Sequence, residues 1–315
     1  MSEKAYLSVV APVFNEEANI EVLFKRLNDT LGALHYELLF VNDGSKDLSL
    51  FKIKEIAAAY QHVKFISFSR NFGHQLAVYA GLTYASGKYI AIIDADLQDP
   101  PELIHEMLKK AEEGYEVVYA KRNKRIGESL FKKLTAKIFY RFISSVTSID
   151  IPVDTGDFRI ISERVRKAVM SMPEKNKFLR GQIAWVGFKQ TFITYNRDPR
   201  LHGQTGYPLK KMLNLAIDGI TAFSHFPIRL VTYIGLLMSL VSMGAIVYAL
   251  ISKFVLHSTV KGWTSMMILI TLIGGTQLFC MGIIGEYISR IMSNVMNRPD
   301  FLIEETNIES AAKPD

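Results

Sequence analysis

Two long stretches of this chain carry no charge, and they limit its folds more than anything else in it. Leu230 to Ser252 and Gly262 to Gly285 contain no Asp, Glu, Lys or Arg. Each exceeds the roughly 20 residues a helix needs to cross a bilayer. A buried core hairpin is the competing reading, and length and lack of charge disfavour it. The link from Lys253 to Lys261 is short, so the two helices are predicted to form an antiparallel transmembrane hairpin. Tyr233, Tyr248, Trp263 and Tyr287 fall near the ends, where interface aromatics belong. Arg229, Arg290 and Arg298 on one side face Lys253 and Lys261 on the other, a weak positive-inside bias. Met1 to Tyr6 is polar and Leu7 to Phe14 is too short for a signal-peptide core. The expectation is therefore an inner-membrane, multi-pass protein with its amino-terminal domain in the cytoplasm.

The rest of the chain reads differently. Short apolar runs at Leu7–Phe14, Tyr36–Val41, Val63–Phe68, Tyr89–Asp94 and Glu116–Ala120 alternate with helix-period segments. One of these places Ile20, Leu23, Phe24, Leu27 and Leu31 on one stripe. This rhythm predicts an α/β domain with a mostly parallel sheet and right-handed crossovers. Glu128 to Val146 is basic and amphipathic, suited to a membrane surface or to packing on the domain core. Tyr207 to His225 is again helical and partly apolar, and Glu304 to Asp315 reads as a disordered polar tail. The domain expectation is 1–127 for the nucleotide-binding core and 128–228 for an acceptor-side, membrane-interface part. The hairpin then takes 229–290 (helices at about 230–252 and 262–285), and 291–315 forms a cytoplasmic tail.

Several chemistries are excluded. A single cysteine, Cys280, allows neither an intramolecular disulfide nor a cysteine zinc site. No G-x-G-x-x-G follows the first strand, Gly81 to Lys88 fails as a phosphate loop, and no G-x-S-x-G occurs. The net charge of +6 comes with no nucleic-acid motif and lies beside apolar stripes, which favours a membrane surface over nucleic acid.

What remains is a set of acids at strand ends. Glu16 or Glu17 follows the first strand, Asp43 the second, and Asp94 and Asp96 the fourth. In an open α/β sheet those ends share one edge, where ligands bind. On a strict strand Asp94 and Asp96 would also share one face. Clustered carboxylates suit a hard divalent cation, Mg²⁺ or Mn²⁺. Asp99, before Pro100 and Pro101, reads instead as a helix cap. Arg70, Lys121, Arg122 and Arg125 stand near the same edge. Acids, a cation and arginines together describe a nucleoside-diphosphate pocket.

The motifs Ala11-Pro12-Val13-Phe14-Asn15-Glu16-Glu17, Val41-Asn42-Asp43-Gly44-Ser45-Lys46-Asp47, Arg70-Asn71-Phe72-Gly73 and Asp94-Ala95-Asp96-Leu97-Gln98-Asp99-Pro100-Pro101 resemble those of family-two glycosyltransferases with a GT-A fold. Thr155 to Arg159, Phe178 to Gly187 and Asp218 to Ser224 extend the resemblance, which is nearest to polyprenyl-phosphate sugar transferases, above all the bactoprenol glucosyltransferases. It implies transfer of a sugar, with UDP-glucose the first choice, to undecaprenyl phosphate. UDP-N-acetylglucosamine, UDP-galactose, a 4-amino-arabinose donor and GDP-mannose stay open. By the same resemblance Pro12, Phe14, Glu16, Asp43, Arg70, Asp94 and Asp96 contact the donor, with Asp43 at the base and Asp94 by the ribose and diphosphate. Asp96 ligates the metal with Gln98 as a second ligand. Lys121, Arg122, Arg125 and Arg200 serve the acceptor or its phosphate, and Asp157 orients or deprotonates the acceptor. A homo-oligomer, in this subgroup a tetramer, is also implied. One departure stands out: Arg200-Leu201-His202-Gly203-Gln204-Thr205-Gly206-Tyr207 carries Gly206 where relatives often have Lys. Competing readings are a processive polysaccharide synthase, which lacks its Gln-x-x-Arg-Trp motif here, and a non-catalytic nucleotide-sugar sensor.

Overall fold

The computed structural model describes residues 4–123, 155–175, 177–196, 226–255 and 262–309. The chain divides into two units, one built on a sheet and the other on two long helices.

The sheet unit begins with β1 (Leu7–Val13), α1 (Ile20–Leu31), β2 (Tyr36–Asn42), α2 (Ser49–Ala59), β3 (Val63–Phe68), α3 (His74–Tyr84), β4 (Tyr89–Ile92), α4 (Leu103–Glu112) and β5 (Val117–Arg122). It continues with β6 (Thr155–Ser162), α5 (Glu163–Met170), α6 (Leu179–Trp185), β7 (Gln190–Tyr195) and β8 (Ile303–Thr306). All eight strands form one sheet in the order β7-β5-β6-β4-β1-β2-β3-β8. β1 pairs in parallel with β2 and β4, β2 with β3, and β5 with β7. β6 runs antiparallel between β4 and β5, and β8 runs antiparallel along β3.

Every residue of β1, β2 and β4 is buried, as a strand covered on both faces requires. On one face Leu7, Val9 and Ala11 pack with the α1 stripe Ile20, Leu23, Leu27 and Leu31 and with Ile104 and Met107 of α4. On the other, Val10, Ile90 and Ile92 meet Val78 and Leu82 of α3, Val165 and Val169 of α5, and Ile183 of α6. Each such side chain, fully buried, contributes about 1.5–3 kcal/mol from area removed from water. The sheet is thus the middle layer of three.

Three expectations change. The fourth strand stops at Ile92, and Leu97 takes φ +60°. Asp94 and Asp96 therefore lie on a turn, and the shared-face argument does not apply to them. The sheet gains β6, β7 and β8, and β6 separates β4 from β5. Because β6 is antiparallel to both, its amino-terminal part runs along the ends of its neighbours: its fifth residue, Arg159, stands opposite Ile92, the last of β4, and its first, Thr155, opposite Lys121. The tail is not wholly a free polar segment. Residues 303–306 form β8, and the Asn307 amide bridges the Phe65 N–H (2.8 Å) and the Val63 carbonyl (3.1 Å). The segments Glu128–Val146 and Tyr207–His225 lie outside the described residues.

The second unit holds α7 (Phe226–Phe254) and α8 (Trp263–Met296), which pack on each other. Pro227 sits in the first turn of α7, where its missing N–H breaks no helix bond. Among the described residues, Pro227–Tyr248 is long and apolar enough to cross a membrane, with mean hydropathy 2.1 and none of it buried. Leu236, Leu240, Met243 and Ile246 are each exposed. α8 continues past Gly285 to Met296, and Glu286 pairs with Arg290 one turn on, at 3.0 Å.

Candidate active site

Parallel β1, β2, β3, β4 and β5 end on one edge of the sheet, and antiparallel β6 begins there. The sequence-predicted acids and cations on the described strands therefore gather at that edge.

On the β2 side, Asp43 is buried. Its Oδ1 accepts the Phe72 N–H at 2.7 Å, and its Oδ2 accepts the Gly73 N–H at 3.0 Å. Burial pushes its carboxyl up, against the pull of these two N–H groups and of His74 and Arg70. The acid thereby fixes the turn that opens α3, at a Gly73 with φ +106°. Arg70 is exposed and lies 4.0 Å from the Phe72 ring centroid. Pro12 is buried at the end of β1, and Phe14 is exposed beyond it. The Glu16 carboxylate accepts from the Asn19 amide at 2.5 Å.

Asp157, second residue after the start of β6, is held by three basic side chains. Arg180 on α6 donates Nε to Oδ1 at 2.8 Å and Nη2 to Oδ2 at 2.9 Å. The buried Arg159 adds Nη2 to Oδ1 at 3.2 Å. His74 Nε2 lies 3.0 Å from Oδ2. Burial would raise the Asp157 carboxyl, but the attraction and hydrogen bonds of Arg180, with His74 and Arg159, hold it well below the usual range. Burial likewise disfavours charge on His74, and the Asp157 bond and the Asp94 and Asp157 charges outweigh this, raising it to about 9. His74 is therefore a cation that donates to Asp157.

Asp94 stands next to this cluster. Its Oδ1 is 3.7 Å from His74 Nε2 and has no hydrogen-bond partner among the described residues. Burial lifts its carboxyl to about 6. His74 pulls against that, and Asp157, Asp99 and Asp96 push further upward. A buried carboxylate oxygen left open beside other acids is an arrangement that a bound cation relieves. His74, Asp94 and Asp157 each offer an atom within 4.8 Å of the others. Asp157 is already saturated by arginine, so the open oxygen of Asp94 is the better ligand. Asp96 is buried, and its Oδ1 accepts the Gln98 N–H at 3.2 Å. The residues present thus fit a hard divalent ion.

Asp99 is not a helix cap. α4 begins four residues later, with Glu102 at the cap position. Asp99 is fully buried and accepts a short hydrogen bond from the Tyr195 hydroxyl at the end of β7. Arg122 Nη2 lies 3.8 Å from its Oδ1, and Arg122 Nε donates to the Tyr195 oxygen at 3.4 Å. Arg122 is held from one side by this pair, and Gly156 leaves it room on the other. A Cβ on Gly156 would stand 2.6 Å from Arg122 Nη2. Lys121 lies over the Phe192 ring at 4.6 Å. Arg125, Arg200 and Gly206 lie outside the described residues.

Such an edge has the chemistry to take a doubly anionic group at Asp94 and Asp96 through a cation, and a second anion near Arg122. Residues 8–169 match the description "Glycosyl transferase family 2". The chain belongs to that family. As a glycosyltransferase it also matches, over residues 226–291, the description "GtrB C-terminal hairpin". It is 50% identical over 308 residues to the uncharacterized glycosyltransferase YkcC of Bacillus subtilis (strain 168), covering 97% of this chain and 95% of that one. It is 38% identical over 303 residues to the SfII prophage-derived bactoprenol glucosyl transferase of Shigella flexneri, covering 96% and 98%. Among solved structures it is similar in part to mannosyl-3-phosphoglycerate synthase from Rubrobacter xylanophilus, at 17% identity and TM-score 0.47, covering 69% and 72%.

The sequence reading of this glycosyltransferase gave no role to His74, Arg159, Arg180 or Tyr195, and gave Asp99 only that of a helix cap. Arg180 lay inside a recognised motif, Phe178 to Gly187, which was the one signal available for it. Asp99 and Arg159 likewise lay inside the motifs Asp94 to Pro101 and Thr155 to Arg159, whereas His74 and Tyr195 are joined to their partners only by the fold.

Proposed function

We propose that this glycosyltransferase moves a sugar, glucose from UDP-glucose, onto a polyprenyl phosphate such as undecaprenyl phosphate at the cytoplasmic membrane face. The observation that carries the reading is one sheet edge joining the open acid Asp94 to the Asp157–Arg180–His74 cluster and to Arg122. Its lipid acceptor is supported by full-length relatives named bactoprenol glucosyl transferase and by the exposed apolar helix at 227–248. The uncharged run Gly262–Gly285 supplies a second crossing, which returns the chain to the catalytic side.

The acceptor phosphate is already an anion near neutral pH. One of its oxygens attacks the anomeric carbon, the bond from that carbon to the diphosphate breaks, and the configuration inverts. Nucleoside diphosphate leaves. Asp94 and Asp96, with Gln98, would hold Mg²⁺ or Mn²⁺, which would supply positive charge to the departing diphosphate. Asp157, ionised and saturated by donors, is a poor base. It positions His74 and Arg180, whose charges stabilise the reacting anions. Arg122, braced by Asp99 and Tyr195, receives the acceptor phosphate. Arg70 and the Asp43-bound turn take the nucleotide side.

The test is a donor panel on the purified full-length protein in detergent with undecaprenyl phosphate and Mg²⁺. UDP-glucose should place label in the lipid extract fastest. Faster transfer from UDP-N-acetylglucosamine, UDP-galactose or GDP-mannose would correct the sugar. No lipid label from any donor would reject the reaction.

A further inference from the structure

The segment after α8 returns to the sheet unit and touches both sides of the site edge. On the donor side, the Phe301 ring stacks on Phe68 at 5.0 Å and 19°. Phe68 meets Phe72 edge to face at 5.6 Å. Phe72 carries Arg70 on its face and gives its N–H to Asp43. The Leu302 carbonyl accepts the Ser69 N–H at 3.0 Å, one residue before Arg70. The β3–β8 register also shifts between Ser67 and Phe68, so the chain is redirected where Phe301 packs.

On the other side, Asp300 reaches Lys175 at 3.4 Å and Lys177 at 3.8 Å. The Lys177 side chain is 3% exposed. Its ammonium lies over the Tyr79 ring of α3 at 4.2 Å. Lys175 also donates to the Arg298 carbonyl at 2.9 Å. Two residues beyond Lys177, α6 begins, and Leu179 N–H is held by the Gln75 side chain at 3.2 Å. The next residue is Arg180, which grips Asp157.

We propose that Asp300–Leu302 is a positioning element of the transfer site, with Phe301 setting the Arg70–Gly73 turn and Asp300 setting the approach to Arg180. This rests on the transfer reading above. The physical basis is that an aromatic stack and a shielded ion pair each have one favoured geometry, and each reaches a functional side chain through a short chain of contacts. The two contacts act on different groups, so they separate kinetically.

The experiment compares Phe301→Ala, Phe301→Tyr, Asp300→Asn and Glu305→Gln in the full chain in detergent. Glu305 lies on β8 opposite Ser67 and pairs with Lys54 of α2 at 2.5 Å, outside the 300–302 segment. Phe301→Ala should raise the donor KM about fivefold with kcat nearly unchanged, as loss of an Arg–aromatic seat implies. Phe301→Tyr should restore the wild-type KM. Asp300→Asn should lower kcat about tenfold with donor KM unchanged, the scale of a small misplacement at a reacting centre. Glu305→Gln should match wild type. Hydrogen exchange provides the second arm: the Phe72 and Gly73 amides should exchange faster in Phe301→Ala and normally in Glu305→Gln. Equal kinetic constants in all four variants, or kcat and KM losses that follow only the folded fraction, overturn the proposal. So does unchanged exchange at Phe72 and Gly73. A wild type that transfers no sugar sinks the transfer reading, and the exchange arm then decides the coupling by itself.

Discussion

Arg180 binds Asp157 through both carboxylate oxygens, at 2.8 and 2.9 Å, across the gap between α6 and the start of β6. A two-point grip of this kind fixes the orientation of the acid as well as its charge. With His74 and Arg159 added, Asp157 becomes an anchor for cations instead of a proton acceptor.

Arg180→Lys keeps the charge and loses the fork. We expect kcat to fall by roughly 10²-fold, the usual scale for removing one preorganised electrostatic contact, with the donor KM little changed. Steady-state kinetics on the detergent-purified protein check this. A wild-type kcat in Arg180→Lys would mean that Asp157 does not need the bidentate contact.

Metal dependence should follow Asp94 and Asp96. Chelation should abolish transfer, and Mg²⁺ or Mn²⁺ should restore it. Asp94→Asn and Asp96→Ala should each lose transfer and metal response together. Undiminished transfer after exhaustive chelation, with the ion absent by elemental analysis, would remove the cation from the account.

Gly156→Ala tests the seat of Arg122. The new Cβ would stand 2.6 Å from Nη2, so the guanidinium must move. An acceptor KM raised about tenfold, with nucleotide binding unaffected, is the expected outcome for a displaced phosphate contact worth ~1.4 kcal/mol. Titration of both substrates separates the two effects. An unchanged acceptor KM would take Arg122 away from the phosphate.

Glu37 gives a pH signature at the opposite end of the strands. It is buried and accepts from Ser8 (2.5 Å), the Ser86 N–H (2.7 Å) and Lys64 (2.5 Å). Burial would raise its carboxyl, but the Lys64, Ser8 and Ser86 bonds together lower it. A depressed carboxyl adds stability above its unfolded value, and that stability disappears as pH falls through the folded one. Thermal midpoints should therefore drop on acidification below the ordinary glutamate range, near pH 4.3. Glu37→Gln should flatten that slope while costing about 2–3 kcal/mol at neutral pH, less than a fully buried pair because Lys64 is partly exposed. A slope identical in wild type and variant would contradict this.

The sheet edge was legible because each of the first five strands is a mostly apolar run that ends in a turn or charged signal. Asp43, Asp94 and Asp96 could be placed on one edge from that alone. The order of the strands was not legible. β6 is inserted antiparallel between β4 and β5, and nothing in Thr155–Ser162 says which neighbours it will have. Asp99 misled because Asp-Pro-Pro is a strong local signal for a helix start. Its real partners, Tyr195 and Arg122, come from distant strands. His74 and Arg180 reach Asp157 from 83 and 23 residues away, and pairings at that range are set by packing. The tail failed for a similar reason: a short polar strand is stabilised by the β3 edge it joins and shows little pattern of its own.

The most direct measurement is the anomeric configuration of the lipid product made from UDP-α-glucose and undecaprenyl phosphate, read by proton and phosphorus NMR. A β-linked glucosyl phosphate, formed by wild type and absent with Asp94→Asn, is the predicted result. An α-linked product, or glucose released to water with none on the lipid, would contradict a single inverting displacement at this edge.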